Sequence, residues 1–247
     1  MNITGNTILI TGGGSGIGRA LAEALHAKGN SVIIAGRRER VLDEVTQANP
    51  GMQSMLLDIQ DKADIEGFAR DAVARFPALN VVINNAGIMK PETQLDLAIA
   101  EETIETNLLG PIRLTAALLP HLLAQPRASV VTVSSGLAFV PLAATPTYSA
   151  TKAAIHSWSM ALRHQLKDTS VEVVEIAPPY VQTELLGAHQ LTDPAAMPLA
   201  DFTNEVMAIL ESAPPSGEVI VERCKPLRFA AESGNFAGVF AMVNGQH

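Results

Sequence analysis

The 247-residue chain has one cysteine, one tryptophan and two tyrosines. The lone Cys224 excludes an intrachain disulfide and fits a reducing compartment; its reading is that of a small buried hydrophobe. Basic residues are in short supply, 17 Lys and Arg against 25 Asp and Glu, a net charge of -8. That balance argues against nucleic-acid or anionic-membrane partners, which need basic patches, although it leaves room for a local basic pocket. Long apolar runs are also missing. The richest, around Thr115 to Ala124, contains Pro120 and His121 and falls short of the ~18 residues that span a bilayer. Met1 to Asn6 lack the basic and apolar regions of a secretory signal. A soluble, cytoplasmic protein is expected. The six histidines, His26, His121, His156, His164, His189 and His247, show no metal-ligand spacing with acids or Cys224, so no metal is expected. His189 reads as a surface or packing residue.

What is present is a 47% hydrophobic chain, enough for a full core. Short β-branched runs recur at 7–10, 31–35, 55–57, 81–83, 130–133, 171–176 and 219–221. Most are continuously apolar, as parallel strands covered on both faces are. Helical patterns lie between them, among them 16–28, 61–75, 101–124 and 148–167. The alternation predicts one doubly wound α/β domain over 1–247 with right-handed crossovers. The least regular stretch, 184–201, carries Gly187, Pro194 and Pro198. It follows the sixth strand, on the ligand side of such sheets, and reads as a substrate lid.

After the first run comes Thr11-Gly12-Gly13-Gly14-Ser15-Gly16-Ile17-Gly18-Arg19, opening into a helix. Glycines let a backbone turn tightly against a pyrophosphate, and a helix N-terminus offers free N–H groups to it. The spacing Gly12-x3-Gly16-x-Gly18 differs from the GxGxxG fingerprint. Further motifs follow in order: Asn84-Asn85-Ala86-Gly87 after the fourth run, Ser135 thirteen residues before Tyr148, then Ala150-Thr151-Lys152, and Pro178-Pro179-Tyr180-Val181-Gln182-Thr183 after the sixth. Over residues 5 to 185 this resembles the short-chain dehydrogenase/reductase family. The resemblance implies a Rossmann-like, seven-stranded parallel sheet in the order 3-2-1-4-5-6-7, with helices on both faces.

It also implies a nicotinamide cofactor, held by Gly12, Gly14, Ser15, Gly16, Ile17 and Gly18 in the turn. Asp58 and Ile59 would sit by the adenine, with a helix N-cap near Asp61 as the alternative for Asp58. Asn84, Asn85, Ala86 and Gly87 would line the adenosine ribose. Pro178, Val181 and Thr183 would adjoin the nicotinamide. NAD-binding chains carry an acid at the end of the second strand; by resemblance Gly36 takes that place, followed by Arg37 and Arg38. Guanidinium groups there suit a 2′-phosphate, worth about 1.5–3 kcal/mol for a charge-assisted contact. Cations are poorly placed at a helix start for any other purpose. NADP(H) is expected over NAD(H).

Tyr148 and Lys152 are i and i+4 on one helical stretch and share a face. A phenol is a poor base at neutral pH, and a nearby ammonium is expected to lower its pKa by roughly 1–3 units. Tyr148 would then exchange a proton with an alkoxide or alcohol. By resemblance Lys152 also holds the nicotinamide ribose, Ser135 binds the substrate oxygen, and Asn107 sustains a water-linked proton path to Lys152. Asn107 has plain alternatives as a helix kink or an interhelical hydrogen bond. Ser135 rather than Ser134 is chosen by its spacing from Tyr148.

Met89, Gly136, Leu137, Ala138, Phe139, Leu142, Tyr180 and Leu185 are the expected pocket wall, mostly apolar and without a fixed cation. A small neutral carbonyl or secondary alcohol fits it. Pro179 replaces the family's usual glycine and should stiffen that turn. Pro178-Pro179 and the tail, 223–247, resemble a branch that includes an oxidoreductase encoded beside teichoic-acid D-alanylation functions in some bacteria. A homodimer or homotetramer through 101–124 and 148–167 is implied by the family. The alternatives are a nicotinamide-binding redox sensor and an epimerase or dehydratase of the extended branch. Sensors often lose the catalytic Tyr or Lys, which this chain keeps, and it is short for the extended branch's added substrate domain.

Overall fold

The computed structural model describes residues 1–94, 96–212 and 217–245. Seven strands form one parallel sheet: β1 (Thr7–Thr11), β2 (Ser31–Gly36), β3 (Gln53–Leu56), β4 (Leu79–Asn84), β5 (Ala128–Val133), β6 (Val171–Ile176) and β7 (Glu218–Val219). Their order is β3-β2-β1-β4-β5-β6-β7, as the motifs imply. Successive strand residues point to opposite faces, and the core divides accordingly. Ile8, Ile10, Val81, Ile83 and Val131 pack with Leu21 and Leu25 of α1 (Gly16–Ala27), Leu42 and Val45 of α2 (Glu39–Ala48) and Phe202 and Val206 of α7 (Leu199–Glu211). Leu9, Val82 and Val130 pack on the other face with Ile65 and Phe68 of α3 (Lys62–Arg75), Leu114 and Leu118 of α5 (Gly110–Ala124) and Leu162 of α6 (Pro146–Gln165). Both faces are therefore covered, which explains the unbroken apolar runs.

Local chemistry sets several boundaries. Asp61 caps α3 by accepting from Ala63 N and Asp64 N, a contact worth about 1 kcal/mol. Asp58 is thus not the helix cap; it lies in the turn after β3, and its Oδ1 accepts from Gln60 N at 3.0 Å. The expected helix at 101–124 is three pieces: the end of α4 (Leu97–Ile104), a π-turn (Glu105–Leu109) and α5. Such turns insert a residue into a helix and often mark functional sites. The 219–221 run contributes only Val219 to β7. The tail folds into a 3₁₀ turn (Glu222–Cys224), α8 (Lys225–Arg228) and α9 (Phe236–Asn244); His247 lies outside the described residues.

The loop expected at 184–201 is shorter and more structured than its composition implies, since α7 begins at Leu199. Gln190 is buried and donates to Val181 O at 2.7 Å and Thr183 Oγ1 at 3.2 Å. The Tyr180 hydroxyl donates to Asp193 Oδ2 at 3.0 Å, and Met197 N donates to Tyr180 O at 2.8 Å. No helix among the described residues is long and apolar enough to cross a membrane.

Candidate active site

All the strands run parallel, so the loops after β1, β4, β5 and β6 emerge at one edge of the sheet. The glycine turn after β1 is packed against the neighbouring loop. Gly12 has φ 67°, a conformation that side chains rarely adopt. A Cβ on Gly18 would collide with Gly12 O and the Asn85 amide. Asn85 Nδ2 donates to Thr11 O at 2.9 Å, and Asn85 N and Ala86 N both donate to Thr11 Oγ1 at 3.1 Å. Asn85 thus fastens the turn to the β4 loop. The Asn84 amide faces the sheet interior and donates to Thr115 Oγ1 at 3.0 Å. Ala86 and Gly87 continue that loop past the turn.

Ser15 precedes α1 with no capping bond from its side chain, and the first-turn N–H groups have no partner inside the helix. Those donors, with Gly14, Gly16 and Ile17 beside them, fit a pyrophosphate. Thr183 lies across the opening, its Cβ 3.5 Å from where a Gly16 Cβ would stand. The turn and the β6 loop, Pro178 and Val181 included, are therefore two walls of one cleft. Arg37 and Arg38 follow β2, both exposed. Arg38 Nη2 donates to Ser15 Oγ at 3.2 Å, and neither arginine has an acidic partner among the described residues. Asp58 and Ile59 follow the neighbouring β3, Ile59 against Gly110 of α5.

Next to this cleft stands a ladder between α6 and the sheet. Tyr148, Lys152, His156 and Ser159 descend one side of the helix. Ser135, which follows β5, faces the Tyr148 phenol closely enough to stabilise its ionised form. Lys152 Nζ donates to Val133 O at 2.8 Å and lies 5.5 Å from the Tyr148 ring centroid. His156 Nδ1 meets Glu175 Oε2 at 2.8 Å. The Ser159 and Thr132 hydroxyls are 2.8 Å apart. Ser135 Oγ accepts from Leu137 N at 3.1 Å. Ser134 is turned to Ile176 O instead, so of the two serines only Ser135 meets the tyrosine.

Burial governs the electrostatics. It pushes the Tyr148 phenol up to about 12, with Ser135 pulling the other way. It brings Lys152 down to about 8, opposed by the charge of Glu175. The expected lowering of Tyr148 by a neighbouring ammonium is thus overturned: desolvation outweighs it, and the ammonium points to Val133 O. Tyr148 holds its proton at neutral pH, and Lys152 is mostly charged there.

Asn107 is fully buried in the π-turn. Its Nδ2 donates to Ile88 O and its Oδ1 accepts from Ile88 N, each at 2.8 Å. It also reaches Thr151 Oγ1 at 3.3 Å. Both plain alternatives for it are met, an irregularity in the helix and an interhelical hydrogen bond to Thr151 of α6. They also bring it beside Gly87, whose Cβ would stand 3.2 Å from Asn107 Oδ1 and 3.7 Å from Lys152 Nζ.

Some residues lie elsewhere than expected. The Phe139 ring packs edge-on against His156, 4.7 Å between centroids, and under the Arg228 guanidinium at 4.8 Å. It therefore joins the base of the site more than its wall. His189 is exposed in its loop. Cys224 is fully buried under Gly136, and burial raises its thiol to about 12, as a packing residue requires. Glu175 was not anticipated. Its signal in Val171-Glu172-Val173-Val174-Glu175-Ile176 is an acid at an inward-facing position of a buried strand.

A family model described as short chain dehydrogenase matches residues 6–193. The chain belongs to the short-chain dehydrogenase family. It is 49% identical over 189 residues to the uncharacterized oxidoreductase DltE of Bacillus subtilis (strain 168), covering 75% of each chain, and falls in that branch. A short-chain dehydrogenase from Streptomyces avermitilis superposes with a TM-score of 0.83 at 27% identity, 96% of each chain covered. A short chain dehydrogenase from Burkholderia cenocepacia J2315, solved in complex with NADP, gives 0.82 at 26% identity over 97% of this chain and 99% of that one.

Proposed function

We propose that the protein is an NADP(H)-dependent oxidoreductase that interconverts a neutral carbonyl compound and the corresponding secondary alcohol. One observation carries the reading: Ser135, Tyr148 and Lys152 stand together beside the cleft of the glycine turn. The cofactor, when bound, supplies or takes the hydride at the reacting carbon. The protein's part is the oxygen. Ser135 donates a hydrogen bond to it, and Tyr148 gives it the proton that completes the alcohol. A buried phenol raised to about 12 carries its proton at neutral pH and is placed to donate it. Lys152 supplies positive charge beside the phenol as that proton leaves, and is within reach of a ribose over Gly87.

The preference for NADP(H) rests on Arg37 and Arg38. Two guanidinium groups without an acidic partner among the described residues follow β2 where an acid would repel a phosphate, and one touches the Ser15 end of α1. Solved neighbours include both an NADP and an NAD complex, so the preference is carried by the two arginines alone. Met89 and Leu142 of the expected wall are apolar, and Arg228 on the C-terminal side is paired with Glu218 at 2.7 Å. A neutral substrate follows. The test is oxidation of NADPH and of NADH over a panel of neutral and anionic ketones and aldehydes. NADPH-linked turnover of neutral compounds is expected. Turnover confined to anionic compounds would remove the substrate assignment, and equal use of NADH would remove the cofactor assignment.

A further inference from the structure

The ladder continues past the residues that the proposed reaction uses. Glu175 has no exposed surface. Burying a carboxylate costs several kcal/mol unless cations and donors compensate it, so a fully buried glutamate on a central strand needs a reason. Its immediate partner is His156, with both carboxylate oxygens within 3.1 Å of Nδ1. His156 lies one helical turn beyond Lys152 on α6, and therefore on the same face. The sheet repeats the spacing. Lys152 is bonded to Val133 O, Val133 is the register partner of Ile176, and Glu175 precedes Ile176 on β6. Glu175 thus stands between two potential cations, one on the Tyr148 side and one deeper.

We propose that Glu175 is a positioning residue for Lys152, holding it as an ammonium from the neighbouring strand, with His156 orienting the carboxylate from the other side. This rests on the reductase reading only for its consequence in turnover. Glu175 is also the group whose charge opposes the desolvation of Lys152.

The other groups around Lys152 do not supply that charge. On α6 Tyr148 is neutral at working pH. At the helix start, Glu92 accepts from Thr147 N and Oγ1 at 3.0 and 2.8 Å. On α4 and the π-turn, Glu102 and Glu105 are ion-paired with Lys90 and Arg113. From the C-terminal side, Cys224 is a neutral thiol, and Arg228 is ion-paired with Glu218 and Glu232.

The test reads Lys152 directly. The sequence has six lysines, so carbon-13-labelled lysine gives a short list of NMR signals, and Lys152→Arg identifies the one that disappears. The full-length protein is titrated as wild type, Glu175→Gln and His156→Gln. Glutamine keeps a hydrogen-bonding group in both places and carries no charge at any pH of the titration. The midpoint of Lys152 is expected to fall by about one pH unit in Glu175→Gln and not to fall in His156→Gln. The alkaline limb of carbonyl reduction should move the same way in Glu175→Gln. An unmoved Lys152 midpoint in Glu175→Gln, or a fall in His156→Gln, overturns the proposal. If Glu175→Gln does not fold, Glu175→Met, an apolar side chain of similar length, is titrated in its place, and an unmoved Lys152 midpoint there overturns the proposal. Midpoints that move as expected in a protein that reduces nothing would sink the reductase reading and leave the electrostatic link standing.

Discussion

Replacing glycine by alanine at two helical positions should change stability in opposite directions. Gly67 lies within α3, half-buried, and a Cβ there would meet only the end of the Arg70 side chain at 3.9 Å. Alanine loses less backbone entropy in a helix, so Gly67→Ala should stabilise by about 1 kcal/mol. Gly18 is in the first turn of α1 and has the same propensity to gain. Its Cβ, however, would meet Gly12 O and the Asn85 amide inside contact distance and stand 2.9 Å from Gly12 C. The carbonyl is backbone and cannot rotate away. Asn85 can move only by releasing Thr11 O. Overpacking costs about 1–3 kcal/mol and the displaced hydrogen bond about 1 kcal/mol. After the helical gain, Gly18→Ala should destabilise by about 1–3 kcal/mol. Equilibrium urea unfolding of both variants reads the difference, and NADPH titration should show weaker binding for Gly18→Ala alone. A Gly18→Ala protein as stable as Gly67→Ala would refute the packing argument for the turn.

Three further outcomes are expected. The double variant Arg37→Ala, Arg38→Ala should raise KM for NADPH by about 10- to 100-fold and leave that for NADH nearly unchanged; equal changes for both would contradict the phosphate role. Lys152 is lowered by burial from 10.5 to about 8, so the folded state binds that proton less well than the unfolded one. The cost is fully present below pH 8 and disappears as pH rises from about 8 to 10.5. Lys152→Met should therefore be more stable than wild type in urea at pH 7, by about 1–3 kcal/mol, with the advantage shrinking across that window; a constant difference would oppose the burial account. Leu123 of α5 and Met160 of α6 are exposed at 42% and 52%, apolar surface on the two helices that the family resemblance makes an interface. Light scattering should find a dimer or tetramer that Met160→Asp weakens, and a monomeric wild type would reject that surface.

The fold was legible because both of its signals are local. Apolar runs such as 31–35 have to be covered on both faces, and glycines at 12, 16 and 18 have few uses other than a strand-to-helix turn. Tyr148 and Lys152 were legible for the same reason, since helix geometry alone puts them on one face. What escaped depended on distant partners. Asn85 and Gln190 look like ordinary loop amides, and only the folded chain puts one against Thr11 and the other against Val181. The structure in 184–198 was hidden because side-chain amides, not hydrophobic periodicity, hold it. The electrostatics of Tyr148 failed differently: a neighbour in sequence was weighed, while the burial that dominates is a property of the whole fold. Glu175 and His156 lie 19 residues apart, and no local spacing announces them.

The central claim is that Tyr148 delivers the proton. Its most direct test compares wild type and Tyr148→Phe in two measurements on the same preparations, NADPH binding by fluorescence titration and NADPH-dependent reduction of a neutral carbonyl substrate. Phenylalanine removes one hydroxyl from a buried site and leaves the glycine turn, Arg37 and Arg38 untouched. The account predicts NADPH affinity within a few-fold of wild type and a turnover lower by about 10²–10⁴. Undiminished turnover in Tyr148→Phe, with cofactor bound, would contradict it.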